Sequence, residues 1–192
     1  MAAPSPWSSP DGTDPAREFR KVLGHLPTGV VLVAAHTATG RVGMAVNSIT
    51  SVSLDPPLVS ICVARTSTSW PRIRSAGRFC ISVLADHHEQ TSRRFSAPGE
   101  DRFAGETWHD EPAGPALDGA VARLDCETYA EYGAGDHTIV VARVAELNAV
   151  EDGHALVFFR GEYGRFVPHE QPDDLHPLLD TPRSSPSERQ HP

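Results

Sequence analysis

The sequence predicts a mainly β protein, a small closed barrel with a few peripheral α-helices. Three observations predict it. Short apolar or alternating runs recur along the chain, separated by Gly, Pro and Asp breaks. The helical patterns are few and brief. In the C-terminal half, long alternating runs follow one another with only short breaks, as neighbouring antiparallel strands do.

The elements follow in order. Residues 1–13 carry three prolines and no periodic pattern, and read as a disordered tail. Asp14 starts a helix with Pro15 at its first position and Glu18 in its first turn. Phe19, Val22, Leu23 and Leu26 form its apolar stripe, and Pro27-Thr28-Gly29 ends it. Val30 to His36 is a buried strand, Gly40 marks a turn, and Val42 to Ser48 is the next strand. Ile49 to Leu54 alternates until Asp55-Pro56-Pro57, a break that a central strand cannot contain.

Leu58 to Ala64 is a strand, Ser67 to Ala76 a short helix stopped by Gly77, and Phe79 to Leu84 a strand again. Asp86 to Phe95 reads as a helix, followed by a loop with Asp101-Arg102-Phe103 and Trp108. Ala120 to Tyr132, Thr138 to Val150 and His154 to Phe159 read as three consecutive antiparallel strands. Residues 169–192 are again rich in Pro, Ser and charge, with only Leu175, Leu178 and Leu179 to bury. The folded domain therefore spans 14–168.

Bulk composition excludes several classes. The net charge is -8, and no basic stripe marks a nucleic-acid partner. Sixteen of the 17 basic residues are Arg, which base composition explains without function. Cys62, Cys80 and Cys126 each lie in an apolar run. An odd count without C-x-x-C fits buried reduced thiols in the cytoplasm, not a disulfide framework. The longest apolar run, Val30 to Ala35, is far short of the roughly 20 residues that cross a bilayer. No Rossmann glycine pattern, phosphate loop or nucleophile elbow occurs. His87 and His88 are adjacent and cannot both face one metal, so no metal site is expected.

The positive signals are modest one by one. Thr66, Ser67, Thr68 and Ser69 precede a helix, where hydroxyls either cap the first turn or complete an anion pocket. Arg65, Arg93 and Arg94 favour the anion. Gly43 and Ala45 keep one strand free of bulk, either for close packing or for a ring lying near the backbone. Asn47 and Ser48 can bond an edge rich in carbonyl oxygens and ring nitrogens. Gly135-Asp136-His137 is a turn whose His also stands near a barrel mouth. Arg160 and Arg165 lie among glycines that let a ligand approach. Such a layout suits something flat and phosphate-bearing, as a flavin nucleotide is.

The chain resembles the flavin reductases of two-component flavin-dependent monooxygenases, the short-chain type with an FMN-binding split β-barrel. The stretches that carry the resemblance are FRKVLGHLPTGVVLVAA (Phe19 to Ala35), GMAVNSITSVSLDPPLVSICVARTSTSW (Gly43 to Trp70), FCISVLA (Phe79 to Ala85), DRFAG (Asp101 to Gly105), GDHTIVVARV (Gly135 to Val144) and FFRGEYGRF (Phe158 to Phe166). Their order, more than any one of them, is specific.

That resemblance implies a homodimer in which NAD(P)H reduces FMN or FAD, and the reduced flavin diffuses to a partner monooxygenase. It implies flavin contacts from Arg41, Val42, Gly43, Met44, Ala45, Asn47 and Ser48. Cys62, Val63, Ala64, Thr68, Ser69, Phe95 and Ser96 would follow the ribityl chain and phosphate. It places His137 as the catalytic residue, meeting the nicotinamide nucleotide together with Phe159, Arg160, Gly161 and Glu162. Two alternatives share the barrel: an oxidase or reductase that retains FMN and acts on an organic substrate, and a non-catalytic flavin-binding module.

Overall fold

The computed structural model describes residues 14–97, 99 and 101–168. The tails expected at 1–13 and 169–192, the second with Leu175, Leu178 and Leu179, lie outside the described residues.

Helix α1 (Pro15–Leu23) begins as Asp14 predicts, with Asp14 Oδ1 accepting from the Ala16 N–H at 3.0 Å. Strands β1 (Thr28–Gly29), β2 (Val31–Thr37) and β3 (Gly40–Val46) follow. β2 is continuously apolar because both of its faces are covered. Val31, Val33 and Ala35 point into the barrel, while Leu32 and the preceding Val30 join a second cluster with Leu84, Phe95 and Leu117. β4 (Thr50–Leu54) and β5 (Pro57–Ala64) make a hairpin, so the expected break is only the turn Asp55-Pro56. Pro57 opens β5, where its missing N–H costs no central ladder bond.

Next come α2 (Trp70–Ala76), β6 (Arg78–Val83), a single 3₁₀ turn at Asp86–His88 and α3 (Glu89–Ser96). The helix expected over Asp86 to Phe95 is thus two pieces. His88, 3% exposed, breaks it by turning inward, and its Nδ1 accepts from the Ala85 N–H at 3.1 Å. The stretch read as loop holds a further hairpin, β7 (Trp108–Glu111) and β8 (Gly114–Leu117). The chain ends in β9 (Ala122–Ala134), β10 (His137–Ala149), β11 (Leu156–Phe159) and β12 (Glu162–Arg165).

Seven strands form the main sheet, in the order β3-β2-β6-β9-β10-β5-β4, all pairs antiparallel. Its interior is filled by Val42, Ile61, Phe79, Ile81 and Val140, with Trp70 of α2 edge-on to Phe79 at 5.7 Å between ring centres. Full burial of each such side chain is worth about 2 kcal/mol. No ladder joins the terminal strands β3 and β4, so the barrel is split, as the family resemblance implies, and not closed.

β11 corrects a further expectation. It does not continue the β9–β10 pair but joins β1 and β12 in a separate three-stranded sheet. The main chain diverts it: Leu156 N–H donates to Leu84 O at 2.8 Å, and Leu84 N–H donates to Val30 O at 3.0 Å.

Two side-chain expectations also change. The α1 stripe faces solvent, with Phe19, Val22, Leu23 and Leu26 between 49% and 64% exposed. Of the three thiols, Cys80 and Cys126 are buried and pushed up to about 12 by that burial, but Cys62 is exposed.

Candidate active site

The split creates a seam with chemistry of its own. β3 pairs with β2 on one side only, so its other edge of N–H and C=O groups has no strand neighbour. β4 covers β5 only as far as the pair Thr50↔Ser60, which leaves Ile61 to Ala64 with β10 alone. Two bare strand edges therefore face each other. Ser48 bridges them: its hydroxyl donates to Cys62 O at 3.1 Å and accepts from Cys62 N–H at 2.8 Å. The alternation of an antiparallel strand then turns the Ala64 N–H toward the same seam.

A cleft of about 210 Å³ opens there, with Met44, Ala45, Asn47, Ser48, Cys62 and Ala64 among its lining residues. Behind β3 lies a second cavity of about 190 Å³, shared by Ala45, Val46 and Asn47 with Ser92, Ser96 and Tyr163. Asn47 borders both and is exposed, with no strand to claim its amide. Ser92 Oγ and Tyr163 Oη are 2.9 Å apart, and Ser96 Oγ donates to Ser92 O at 2.9 Å.

The Ser/Thr cluster divides its labour. Ser67 Oγ accepts from the Trp70 N–H at 3.1 Å, which is capping. Ser69 Oγ, on a residue 7% exposed, accepts from Arg102 Nη1 at 3.3 Å. Thr66 and Thr68 are exposed and free to meet a ligand.

Several expected flavin contacts are placed elsewhere or occupied. Arg41 sits at the opposite end of β3, six residues from Asn47 and therefore about 20 Å away along the strand. Its Nη2 is 2.9 Å from Asp110 Oδ1. The Val42 side chain fills the barrel core. The ring that lies close to Gly43 is Phe95: a Cβ at position 43 would stand 2.7 Å from Phe95 Cε1 and 3.2 Å from Phe103 Cζ. Phe95, 2% exposed, stacks edge-on with Phe103 at 5.0 Å, so its side chain belongs to the core. Only main-chain groups of these residues remain for a ligand. Arg93 is paired with Glu89 and lies over the Tyr163 ring at 4.8 Å; Arg94 is tied to Glu106, Thr91 and Ala104. Neither is a spare cation.

The nicotinamide set is split in two. His137 opens β10 directly across from Ala64, at the lip of the cleft, with Nδ1 2.8 Å from Asp136 Oδ1. That bond, first of all, holds the Asp136 carboxyl below the usual carboxylate range. Phe159 to Glu162 lie in the other sheet, as the turn between β11 and β12. Arg160 (φ 54°) and Gly161 (φ 87°) both adopt the left-handed region that such a hairpin requires. Arg160 N–H donates to Gly24 O at 2.8 Å, which docks this turn on the end of α1. Phe159 and Glu162 border an apolar groove of about 690 Å³ with Gly29, Val157, Phe166 and Val167.

Sequence reasoning missed Arg102, which ties Gly43 O and Ser69 Oγ together, each at 3.3 Å, and so fixes β3 against the start of α2. It also missed Ser92 and Tyr163 as lining residues. The DRF and GEYG stretches are visible in the sequence, but nothing in them says which side chain turns toward the seam.

The chain is thus a mainly antiparallel split barrel with a cleft at its seam lined in part by main-chain groups. Comparison with known proteins identifies its family. Residues 23–166 match the family of the flavin reductase like domain. A flavin reductase from Pseudomonas putida is 46% identical over 151 residues, covering 78% of this chain and 89% of its own. The reductase subunit of a flavin-dependent monooxygenase from Rhodococcus jostii is 38% identical over 177 residues, covering 89% and 90%. The NADH:FAD oxidoreductase of Streptomyces globisporus, solved with NAD and FAD fragments, superposes with a TM-score of 0.78 at 32% identity, covering 87% of this chain and all of its own. The chain belongs to the flavin reductase-like domain family and is an oxidoreductase of the flavin reductase type.

Proposed function

We propose that the protein uses NAD(P)H to reduce FMN or FAD and releases the reduced flavin to a partner monooxygenase, as the roles of its relatives suggest. The observation that carries this reading is the seam, where the free edge of β3 and the Ala64 N–H of β5 offer main-chain groups to one slot. A flavin ring edge alternates acceptors and donors, so such a slot fits it without any ionised side chain. The flavin, when bound, supplies the redox chemistry by accepting hydride at its ring.

The chain's own part is placement. Asn47 and the Ala64 N–H bind the ring's polar edge, and main-chain donors there stabilise negative charge as it develops. Thr68 and Ser96 would hold the ribityl chain and phosphate. His137, held by Asp136, stands at the lip and orients the nicotinamide. Slots of this kind bind flavin moderately, which suits a product that must leave.

Homodimerisation is part of the proposal. An amphipathic helix does not leave its apolar stripe in water, and the end of α1 is tied at Gly24 to Arg160, whose neighbours Phe159 and Glu162 line the apolar groove. A second copy covering both would complete the site around Phe159 to Glu162. No described helix is long and apolar enough to cross a membrane. With two buried thiols and no disulfide among the described cysteines, we place the protein in the cytoplasm, with 14–168 as its domain.

The test crosses NADH and NADPH with riboflavin, FMN and FAD in steady-state and anaerobic assays. Rapid bleaching of added flavin supports the reading. Flavin that co-purifies tightly and bleaches only with an organic substrate would replace it with the oxidase alternative.

A further inference from the structure

The cleft at the seam does not stop at Ser67. A further cavity of about 270 Å³ continues from it, sharing Val63, Ala64 and Ser67 and adding Arg65, Arg74, Glu131 and Thr138 among its lining. Its floor is the end of β9. Glu131 and Gly133 are two residues apart there and so face the same side, about 7 Å from each other.

An arginine stands over each position. Arg74 Nη1 is 3.0 Å from Glu131 Oε2, and Trp70 Nε1 donates to the other oxygen at 3.1 Å. Both oxygens of Glu131 are occupied and its charge is matched, so it holds Arg74 in place without opposing an anion. Arg65 reaches over Gly133, where an added Cβ would be 3.5 Å from its Nη2. It is exposed, and among the described residues it has no carboxylate partner. Thr138, paired with Gly133 across the ladder, adds a hydroxyl. In a chain of net charge -8, this leaves one uncompensated cation beside a fixed one at the mouth of the slot.

Resting on the flavin-reductase reading, we propose that this extension is a subsite for the adenosine diphosphate half of a dinucleotide, with Arg65 and Arg74 flanking its second phosphate. Guanidinium forks suit that group because each donates two parallel hydrogen bonds to phosphate oxygens. FAD and NAD(P)H both carry such a half, whereas FMN and riboflavin do not.

The experiment uses the full-length protein, its Arg65→Ala variant and an Arg65→Lys variant that keeps the charge but not the fork. KM is measured for riboflavin, FMN, FAD and NADH, and ADP binding is followed by calorimetry without flavin. Arg65→Ala is expected to raise the KM of one dinucleotide by about tenfold, the usual weight of a charged hydrogen bond, and Arg65→Lys by less. A rise for FAD well beyond that for FMN assigns the subsite to the flavin; a rise for NADH with either flavin assigns it to the nicotinamide nucleotide. ADP should bind the wild type and bind Arg65→Ala at least fivefold more weakly.

An equal rise for FMN and FAD alone, or values within twofold throughout, would overturn the subsite, as would ADP that ignores the substitution. A wild type that reduces no flavin would end the functional reading instead, and ADP calorimetry would still decide the subsite.

Discussion

Ser48 and Cys62 stand on opposite sides of the barrel's seam, joined by a hydroxyl that both donates to and accepts from the same residue's main chain. The bond is the nearest thing to closure between β3 and β5. Removing it leaves the Cys62 N–H and C=O facing the cleft. Ser48→Ala should lower stability by about 1–2 kcal/mol, two net hydrogen bonds' worth, and widen the slot. Thermal unfolding should show the loss, with weaker flavin binding by fluorescence titration. An unchanged melting temperature would mean that the seam is held elsewhere.

The contact between Gly43 and Phe95 predicts a packing defect that can be repaired. A methyl group at position 43 has 2.7 Å to Phe95 Cε1, so Gly43→Ala must push the ring off Phe103 and Trp108. Overpacking of this kind costs about 1–3 kcal/mol. The double variant Gly43→Ala/Phe95→Leu should recover part of that cost, and denaturant unfolding of the four-member cycle measures the coupling. Additive costs would refute it.

Asp125 predicts a pH dependence. It is 0% exposed, neither carboxyl oxygen has a hydrogen-bond partner among the described residues, and its nearest cation, Arg123 Nε, is 3.6 Å away. Burial raises its pKa, only partly offset by Arg123. A raised acid holds its proton longer in the folded state than in the unfolded one. Its stability contribution is therefore intact below the ordinary carboxylate range and lost as pH rises through its folded value. Asp125→Asn should be at least as stable as wild type at pH 7, and the melting-temperature difference should shrink toward pH 4. A difference that stays constant would mean that Asp125 does not titrate differently on folding.

The exposed stripe on α1 predicts an assembly. Val22→Glu together with Leu26→Glu places charge on the face proposed for the second copy, without touching any residue buried in the single chain. Sedimentation velocity should show the wild type at twice the monomer mass and the variant as monomer, with circular dichroism unchanged. A monomeric wild type would refute the assignment.

Which parts of this were legible in the sequence depends on whether one strand's pattern was enough. β2 and β10 could be read because an apolar run or an alternation is a property of the strand itself. The opening of the barrel could not, because it depends on β3 and β4 failing to meet, a relation between distant segments. The Gly43 to Ala45 pattern was visible, but sequence cannot say that Phe95, fifty-two residues on, supplies the nearby ring. His137 was legible through its Gly-Asp turn; Arg102 was not, because its two acceptors, Gly43 O and Ser69 Oγ, come from elements that only the fold brings together. Hairpin β7–β8 and strand β12 were missed because strands of four residues have too short a pattern to separate from loop.

His137 carries the last prediction, since it separates binding of the two nucleotides. It pairs with Ala64 across the ladder and is not among the residues that line the cleft with Asn47 and Met44, so its loss should spare the flavin contacts. Asp136, 2.8 Å from Nδ1, fixes the ring's tautomer and direction. His137→Ala should raise the KM for NADH or slow hydride transfer by at least about tenfold, the lower range for losing one positioned group. The flavin dissociation constant should stay within twofold. Asp136→Asn removes the carboxylate that holds the ring and should slow hydride transfer by less than His137→Ala does, while leaving flavin affinity alone. Stopped-flow bleaching of pre-bound flavin reads the first quantity and fluorescence titration the second. If His137→Ala weakens both steps equally, the residue belongs to the flavin slot and not to the nicotinamide.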